Sequence, residues 1–182
     1  MKKTLLAATV VLALLVPASI ATAASLPKPA DSTVVVPSSI AGIKLGMAEG
    51  KAKAAWGASR GKCSVSKETG FGRCEYGSFT GAGGYAIIDF AGKVTSVSIG
   101  AGKDSDGNCV PSLGAAVLKK IKTSAGIGLG SKFSQLQKAY PKGTVSGETS
   151  DPSQFRVRGK GASEFVFTIV DRKVCGFGIL GG

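Results

Sequence analysis

The chain has 182 residues, with 23 Lys plus Arg against 11 Asp plus Glu, four cysteines and no histidine. Without an imidazole, Ser-His-Asp and Cys-His catalysis and histidine-held metals are excluded together. The positive excess favours anionic partners without naming one, but the basic residues are scattered, densest at Lys119, Lys120 and Lys122, and no aromatics interleave with them, so nucleic-acid binding is not expected.

Residues 1–23 read as a signal peptide. Lys2 and Lys3 precede an apolar stretch from Leu5 to Ile20, broken by Pro17, and Ala21-Thr22-Ala23 forms a small-residue cleavage site. A spanning helix wants about 20 uninterrupted apolar residues, and a lipid anchor wants a cysteine directly after the run, whereas the first here is Cys63. The expected mature chain begins at Ala24, is secreted or periplasmic and has no transmembrane segment. Without Lys2 and Lys3 it keeps 21 basic residues against 11 acidic ones, a net charge of +10. Its 159 residues suit one ordinary domain or two very small ones, which need staples or mutual packing. In an oxidising compartment, structural disulfides are the default for Cys63, Cys74, Cys109 and Cys175.

Residues 24–37, rich in Pro, Ser and Ala, read as a disordered or loosely attached leader. Next comes GIKLGMAEGKAKAAWG, Gly42 to Gly57, and it returns as GIGLGSKFSQLQKAYP, Gly126 to Pro141, at an offset of 84. Each copy predicts a short extended segment, a glycine turn and a short helix. In the second, Phe133, Leu136 and Tyr140 share one face, Ser131 can cap the start and Pro141 stops the helix. The first, Ala48 to Trp56, is weaker, offering mainly Ala52, Ala55 and Trp56 for burial. After each helix comes a hairpin: Tyr85 to Ile99 lies on Phe165 to Ile179 at an offset of 80. Tyr85, Ile87 and Asp89 match Phe165, Phe167 and Ile169 as one alternating face, with Ala91-Gly92 and Asp171-Arg172 at the turns. Between the copies, Ala101 to Ala125 opens as a polar turn region. Val117 to Lys122 reads as a strand, with the tail of a helix begun at Pro111 as the alternative that so short a run leaves open. The predicted fold class is therefore α+β, two tandem repeats of a short helical segment packed on an antiparallel sheet. The first repeat is 38–100, the linker 101–116 and the second repeat 117–182.

Tandem units opening with this G-I-x-L-G-M type motif resemble the β-lactamase inhibitory protein superfamily and the related SmpA/OmlA outer-membrane assembly lipoproteins. The likeness covers Ile40 to Ile99 and, with weaker motifs, Thr123 to Ile179. WGASRGKCSVSKETGFGRCEYG places Cys63 and Cys74 after the helix, where inhibitor domains place their disulfide. The resemblance implies helices on one sheet face and binding on the other. It pairs Cys63 with Cys74, consistent with their 11-residue separation across a hairpin-like loop, and leaves Cys109 and Cys175 as a second pair, which spacing alone does not fix. The departures bear on function. Where the inhibitor carries an acidic residue after the cysteine pair, Gly77 to Gly84 reads GSFTGAGG, and aromatic anchors are few, so β-lactamase inhibition is not inherited.

No catalytic residue, cofactor or metal is expected. Glu68 with Glu75, or Asp151 with Glu164, are the carboxylate pairs open to glycoside hydrolysis, but nothing in their spacing separates them from surface charge. Asp104, Asp106 and Asn108 alternate like the start of a calcium loop, yet Ala115 stands where the bidentate acid belongs. Gly100 to Gly107, GAGKDSDG, lacks the register of a phosphate loop. The leading expectation is a secreted, non-enzymatic interaction module binding a protein or an anionic envelope component, inhibitor-like in architecture. An envelope assembly or maintenance factor is the alternative and a carboxylate-based hydrolase the third class. Binding is expected on a basic open sheet face carrying Arg156, Arg158 and Lys160, with Ile88 and Ser96 beside them and Tyr85, Ile87, Phe165 and Phe167 turned to the helices.

Overall fold

Trp56, the only tryptophan of the chain, is fully buried, and its indole N–H donates to the Ala41 carbonyl at 3.0 Å. The computed structural model that places it describes residues 25–29, 31–35, 38–79, 83–110, 112, 115–148, 152–159 and 163–181. The expected signal peptide, residues 1–23, lies outside them.

The elements run β1 (Thr33–Val35), β2 (Ser39–Ile40), β3 (Ile43–Lys44), α1 (Glu49–Trp56), β4 (Lys62–Val65), β5 (Gly72–Gly77), β6 (Tyr85–Ala91), β7 (Lys93–Gly100), α2 (Ala116–Lys119), β8 (Lys122–Thr123), α3 (Phe133–Ala139), β9 (Thr144–Gly147), β10 (Pro152–Arg158), β11 (Glu164–Val170) and β12 (Lys173–Leu180). An eight-stranded sheet, ordered β4-β5-β6-β7-β12-β11-β10-β9, is antiparallel throughout. A small sheet is ordered β3-β2-β1-β8, with β1 and β8 parallel. The architecture mixes α and β, but antiparallel sheet dominates it. No described helix is long and apolar enough to cross a membrane.

The core lies between the large sheet and the helices. α1 buries Ala52 and Trp56, α3 buries Phe133 and Leu136, and Phe155, Phe165, Phe167 and Phe177 pack as one aromatic cluster from β10, β11 and β12. Each such side chain contributes about 1.5–3 kcal/mol when fully buried. The repeated glycine motif has a mechanical reason. Gly46 (φ 75) and Gly130 (φ 83) take the left-handed turn that glycine adopts without cost, and their N–H groups donate to the Val94 and Val174 carbonyls, each at 2.8 Å. Val94 and Val174 donate back to Met47 and Ser131, again at 2.8 Å. Each glycine turn thereby clamps the start of its helix to a returning strand.

Both disulfides are present. Cys63–Cys74 links residues directly opposite on β4 and β5, with Cα atoms 4.0 Å apart, and Cys109–Cys175 ties the inter-copy segment to β12.

Four expectations are corrected. The leader is not loose where it is described: Val34 is fully buried, β1 pairs with β2 and β8, and Arg60 Nε donates to the Leu26 carbonyl at 2.7 Å. Val117 to Lys122 is mainly a single helical turn, because Leu118 reaches the core there and Lys119 and Lys120 donate to Ala115 and Ala116; only Lys122 and Thr123 are strand. Ser131 does not cap α3. Its hydroxyl accepts from Gly128 N–H at 3.0 Å, while Gln135 Oε1 accepts from Lys132 N–H at 2.9 Å.

The fourth concerns side-chain facing. Phe90 pairs with Val94, leaving three residues at the first hairpin turn, whereas Ile169 pairs with Val174, leaving four, with Asp171 and Arg172 at φ 49 and 56. The shorter turn shifts the outgoing strand by one residue, and one residue exchanges the faces of a strand. Hence Ala86, Ile88 and Phe90 belong to the core with Phe165 and Phe167, while Tyr85, Ile87 and Asp89 lie on the opposite face.

Candidate functional site

The sheet face turned away from the core is continuous across the middle of the molecule. Its floor is built on β7 and β12, where Ser96, Ser98 and Gly100 stand opposite Leu180, Gly178 and Gly176. β6 adds Tyr85, Ile87 and Asp89 on one side, and β11 adds Thr168, Val166 and Glu164 on the other. The floor is low because its side chains are small. Gly178 has no room for more, since a Cβ there would stand 2.9 Å from the Ser98 Cβ. Leu180, 42% exposed, is the large apolar group that this floor presents.

Two ionic clusters flank the strip. Arg73 grips Asp89 with both Nε (2.6 Å) and Nη2 (3.3 Å), and Ser96 Oγ donates to Asp89 Oδ2 at 2.6 Å. The bond to Asp89 raises the Arg73 pKa further, against a partial opposing effect of burial. On the other flank, Arg156 Nη1 lies 3.0 Å from Glu164 Oε2 and its Nη2 donates to Gln154 Oε1 at 3.1 Å. Arg158 Nε is 3.9 Å from Glu164 Oε1, with 89% of its side chain exposed. Arg156 and Arg158 thus share this face as expected from the alternation; Lys160 lies outside the described residues. The face is not the basic surface expected of it. By strand register Lys62, Arg73, Arg156 and Arg158 are answered by Glu75, Asp89 and Glu164, so opposite charges largely offset one another. Ser96 is on this face, but Ile88, expected beside it, is in the core.

Of the carboxylates that the sequence pairs, Glu75 stands opposite Lys62. Glu164 is bound by arginines, and Asp151 lies outside the described residues. Asp104 uses Oδ1 to accept from the Asp106 and Asn108 N–H groups at 3.0 and 2.8 Å, which makes it an internal brace of its turn. Among the described residues no three metal-ligating side chains cluster.

Two clefts flank the Cys109–Cys175 bridge. One, of about 690 Å³, is bordered by Asp104, Ser112, Lys119, Asp171 and Lys173 and so mixes charge signs. The other, of about 400 Å³, opens at the glycine end of the strip between Tyr85, Thr168, Gly176 and the Lys103–Cys109 turn. Comparison with protein-family models, curated proteins and solved structures finds no match to this chain. The site therefore has to be read from its own geometry. The smaller cleft is not legible in the sequence, because its walls come from β6, β11, β12 and the Lys103–Cys109 turn and the alternation predicts Tyr85 on the opposite face.

Proposed function

We propose that this protein is an exported, non-enzymatic interaction module that holds a macromolecular partner of the envelope or extracellular space across the open face of its eight-stranded sheet. The observation carrying this reading is the low floor along the β7–β12 junction, where half-buried Ser96 and Ser98 and exposed Leu180 are accessible between polar side chains fixed in ion pairs. The two disulfides favour an oxidising compartment.

We further read the chain as two copies of one unit. Equivalent backbone bonds clamp Gly46 to Val94 and Gly130 to Val174, and the central register pairs Val97 with Ile179, Ser98 with Gly178 and Ile99 with Phe177, as a twofold relation at an offset of 80 requires. This supports kinship with the inhibitory-protein-like superfamily at the level of architecture. Envelope assembly or maintenance is the second reading, favoured by the likeness of the Gly42–Gly57 motif to the assembly lipoproteins. Arg156 and Arg158 would then form the charged rim of the contact.

Immobilised mature protein, exposed to the envelope and secreted fractions of its own source, should retain a partner. Ser98→Trp fills the strip from its centre and should release that partner while circular dichroism and Tm stay at wild-type values. Retention that survives Ser98→Trp would refute the open-face reading.

A further inference from the structure

Tyr85 lies over backbone where its neighbours have no side chain. A Cβ on Gly100 would meet the phenol oxygen at 2.6 Å, so the ring occupies that space because position 100 is glycine, and it reaches to contact distance of Gly176, where a Cβ would stand 3.8 Å away. Phe79 stacks on Tyr85 with ring centroids 4.2 Å apart. Thr168 pairs with Gly176 across β11 and β12, which brings its hydroxyl into the same row. The opposite wall is the turn from Lys103 to Cys109, closed by a bridge between those two residues and tied to Cys175 by the disulfide. The result is a preformed cleft at the end of the strip.

Its lining chemistry is one-sided. Lys103 brings an ammonium, Tyr85 and Thr168 bring hydroxyls and Asn108 an amide, and among the described residues no carboxylate lines the cleft. Lys103 is half-buried, and among the described residues its ammonium has neither an ion pair nor a hydrogen bond. Asp104, the next residue along the turn, borders the other cleft, and its Oδ1 accepts from the Asp106 and Asn108 N–H groups. One cation with several neutral donors matches a single negative charge. A polyanion would call for several unpaired cations, whereas Arg73 and Arg156 on this face are held by carboxylates. About 400 Å³ exceeds a bare ion and has room for a side chain with its adjoining backbone.

We propose that this cleft is the specificity pocket of the open face, taking the carboxylate side chain of an aspartate or glutamate presented by a partner protein, with Lys103 as counter-charge and Tyr85, Thr168 and Asn108 as hydrogen-bond donors. The proposal rests on the interaction reading above and adds to it the chemistry of the anchor. Charge-assisted hydrogen bonds of this kind are about twice as strong as neutral ones.

The test is a titration of the isotope-labelled mature protein with N-acetyl-glutamate N-methylamide, followed by amide chemical shifts. Shifts should concentrate at Tyr85, Lys103, Gly107, Asn108, Thr168 and Gly176. The glutamine analogue should give none. Lys103→Met, on a surface turn where the fold tolerates it, should weaken the response about tenfold, the loss of one charged hydrogen bond. Asn108→Asp, which places a like charge in the cleft, should abolish it. Equal shifts with the glutamine analogue, shifts centred elsewhere, or a Lys103→Met variant that binds as well as wild type would overturn the proposal. A stronger response to N-acetylglycine would replace the side chain by a chain terminus, and a stronger response to inorganic phosphate would replace it by a phosphate; either overturns the assignment. Loss of the probe response with partner retention still sensitive to Ser98→Trp would sink the pocket and leave the interaction reading standing.

Discussion

The two disulfides close loops of very different length, with sequence separations of 11 and 66, and this gives a quantitative handle on the fold. In the chain-entropy picture, a loop of about a dozen residues contributes roughly 3 kcal/mol and one of about 67 residues roughly 4.4 kcal/mol. Deleting the cysteines outright would confuse the comparison, because each bridge has one fully buried cysteine, Cys74 or Cys175, whose truncation adds a packing loss. The cleaner experiment keeps one bridge per variant. Cys109→Ala/Cys175→Ala retains the short bridge and Cys63→Ala/Cys74→Ala the long one; each is then unfolded in guanidinium, oxidised and reduced. The oxidised-minus-reduced difference isolates the cross-link. It should be larger for the long bridge by about 1.5 kcal/mol, with m rising on reduction as the unfolded chain expands. A long bridge worth no more than the short one would refute the reasoning, and would mean that Cys109–Cys175 merely fastens the Lys103–Cys109 turn without restraining the unfolded chain.

Glycine positions divide sharply by their surroundings. Gly72→Ala would drive a Cβ into the buried Phe90 ring and should cost about 1–3 kcal/mol, whereas Gly50→Ala, inside α1 with nothing within 4 Å of the new atom, should stabilise by roughly 0.5–1 kcal/mol; Tm measurements on the two variants check both signs. The Tyr76 hydroxyl is buried without a hydrogen-bond partner, so Tyr76→Phe should leave stability unchanged or raise it. Burial also pushes the Tyr76 phenol above its usual value of 10.0. The folded state therefore keeps a proton that the unfolded chain releases, and this contribution to stability is complete below pH 10 and lost as pH rises through the folded value. Alkaline denaturation curves should fall more gently for Tyr76→Phe than for wild type, and identical slopes would contradict the assignment.

The elements legible in the sequence were those fixed by local chemistry. Gly46 and Gly130 are required by a left-handed turn, Asp171-Arg172 sits at a tight hairpin turn, and Phe133 and Leu136 recur on the helix face that α3 buries. What escaped depended on pairing. The β-branched run at Thr33 to Val35 was outweighed by its Pro- and Ser-rich flanks, though once β2 and β8 flank it the run makes a strand. The facing of β6 differs from the alternation because a constant offset between the two hairpins does not hold through turns of unequal length. Strand alternation puts Arg156 and Arg158 on the face turned from the core, but nothing in their spacing announces that Glu164 engages both.

The central register explains why the strip is low where it is. Under the proposed duplication, Ser98 and Gly178 are equivalent positions, and a twofold relation between copies brings equivalent positions face to face at the junction of β7 and β12. Two identical side chains meeting there compete for the same space. A second Cβ would stand 2.9 Å from that of Ser98 and equally close to the Val97 carbonyl, closer than real Cβ atoms approach. On this backbone position 178 is therefore held to glycine, whereas the pairs on the core face of the same junction, Val97 with Ile179 and Ile99 with Phe177, keep large side chains. The low floor at Ser98 and Gly178 thus comes from the close approach of the strands at that one pair. The asymmetry that makes a groove selective has to come from outside the duplicated hairpins. Here it comes from the Lys103–Cys109 turn, which the Cys109–Cys175 bridge fixes at one end of the strip.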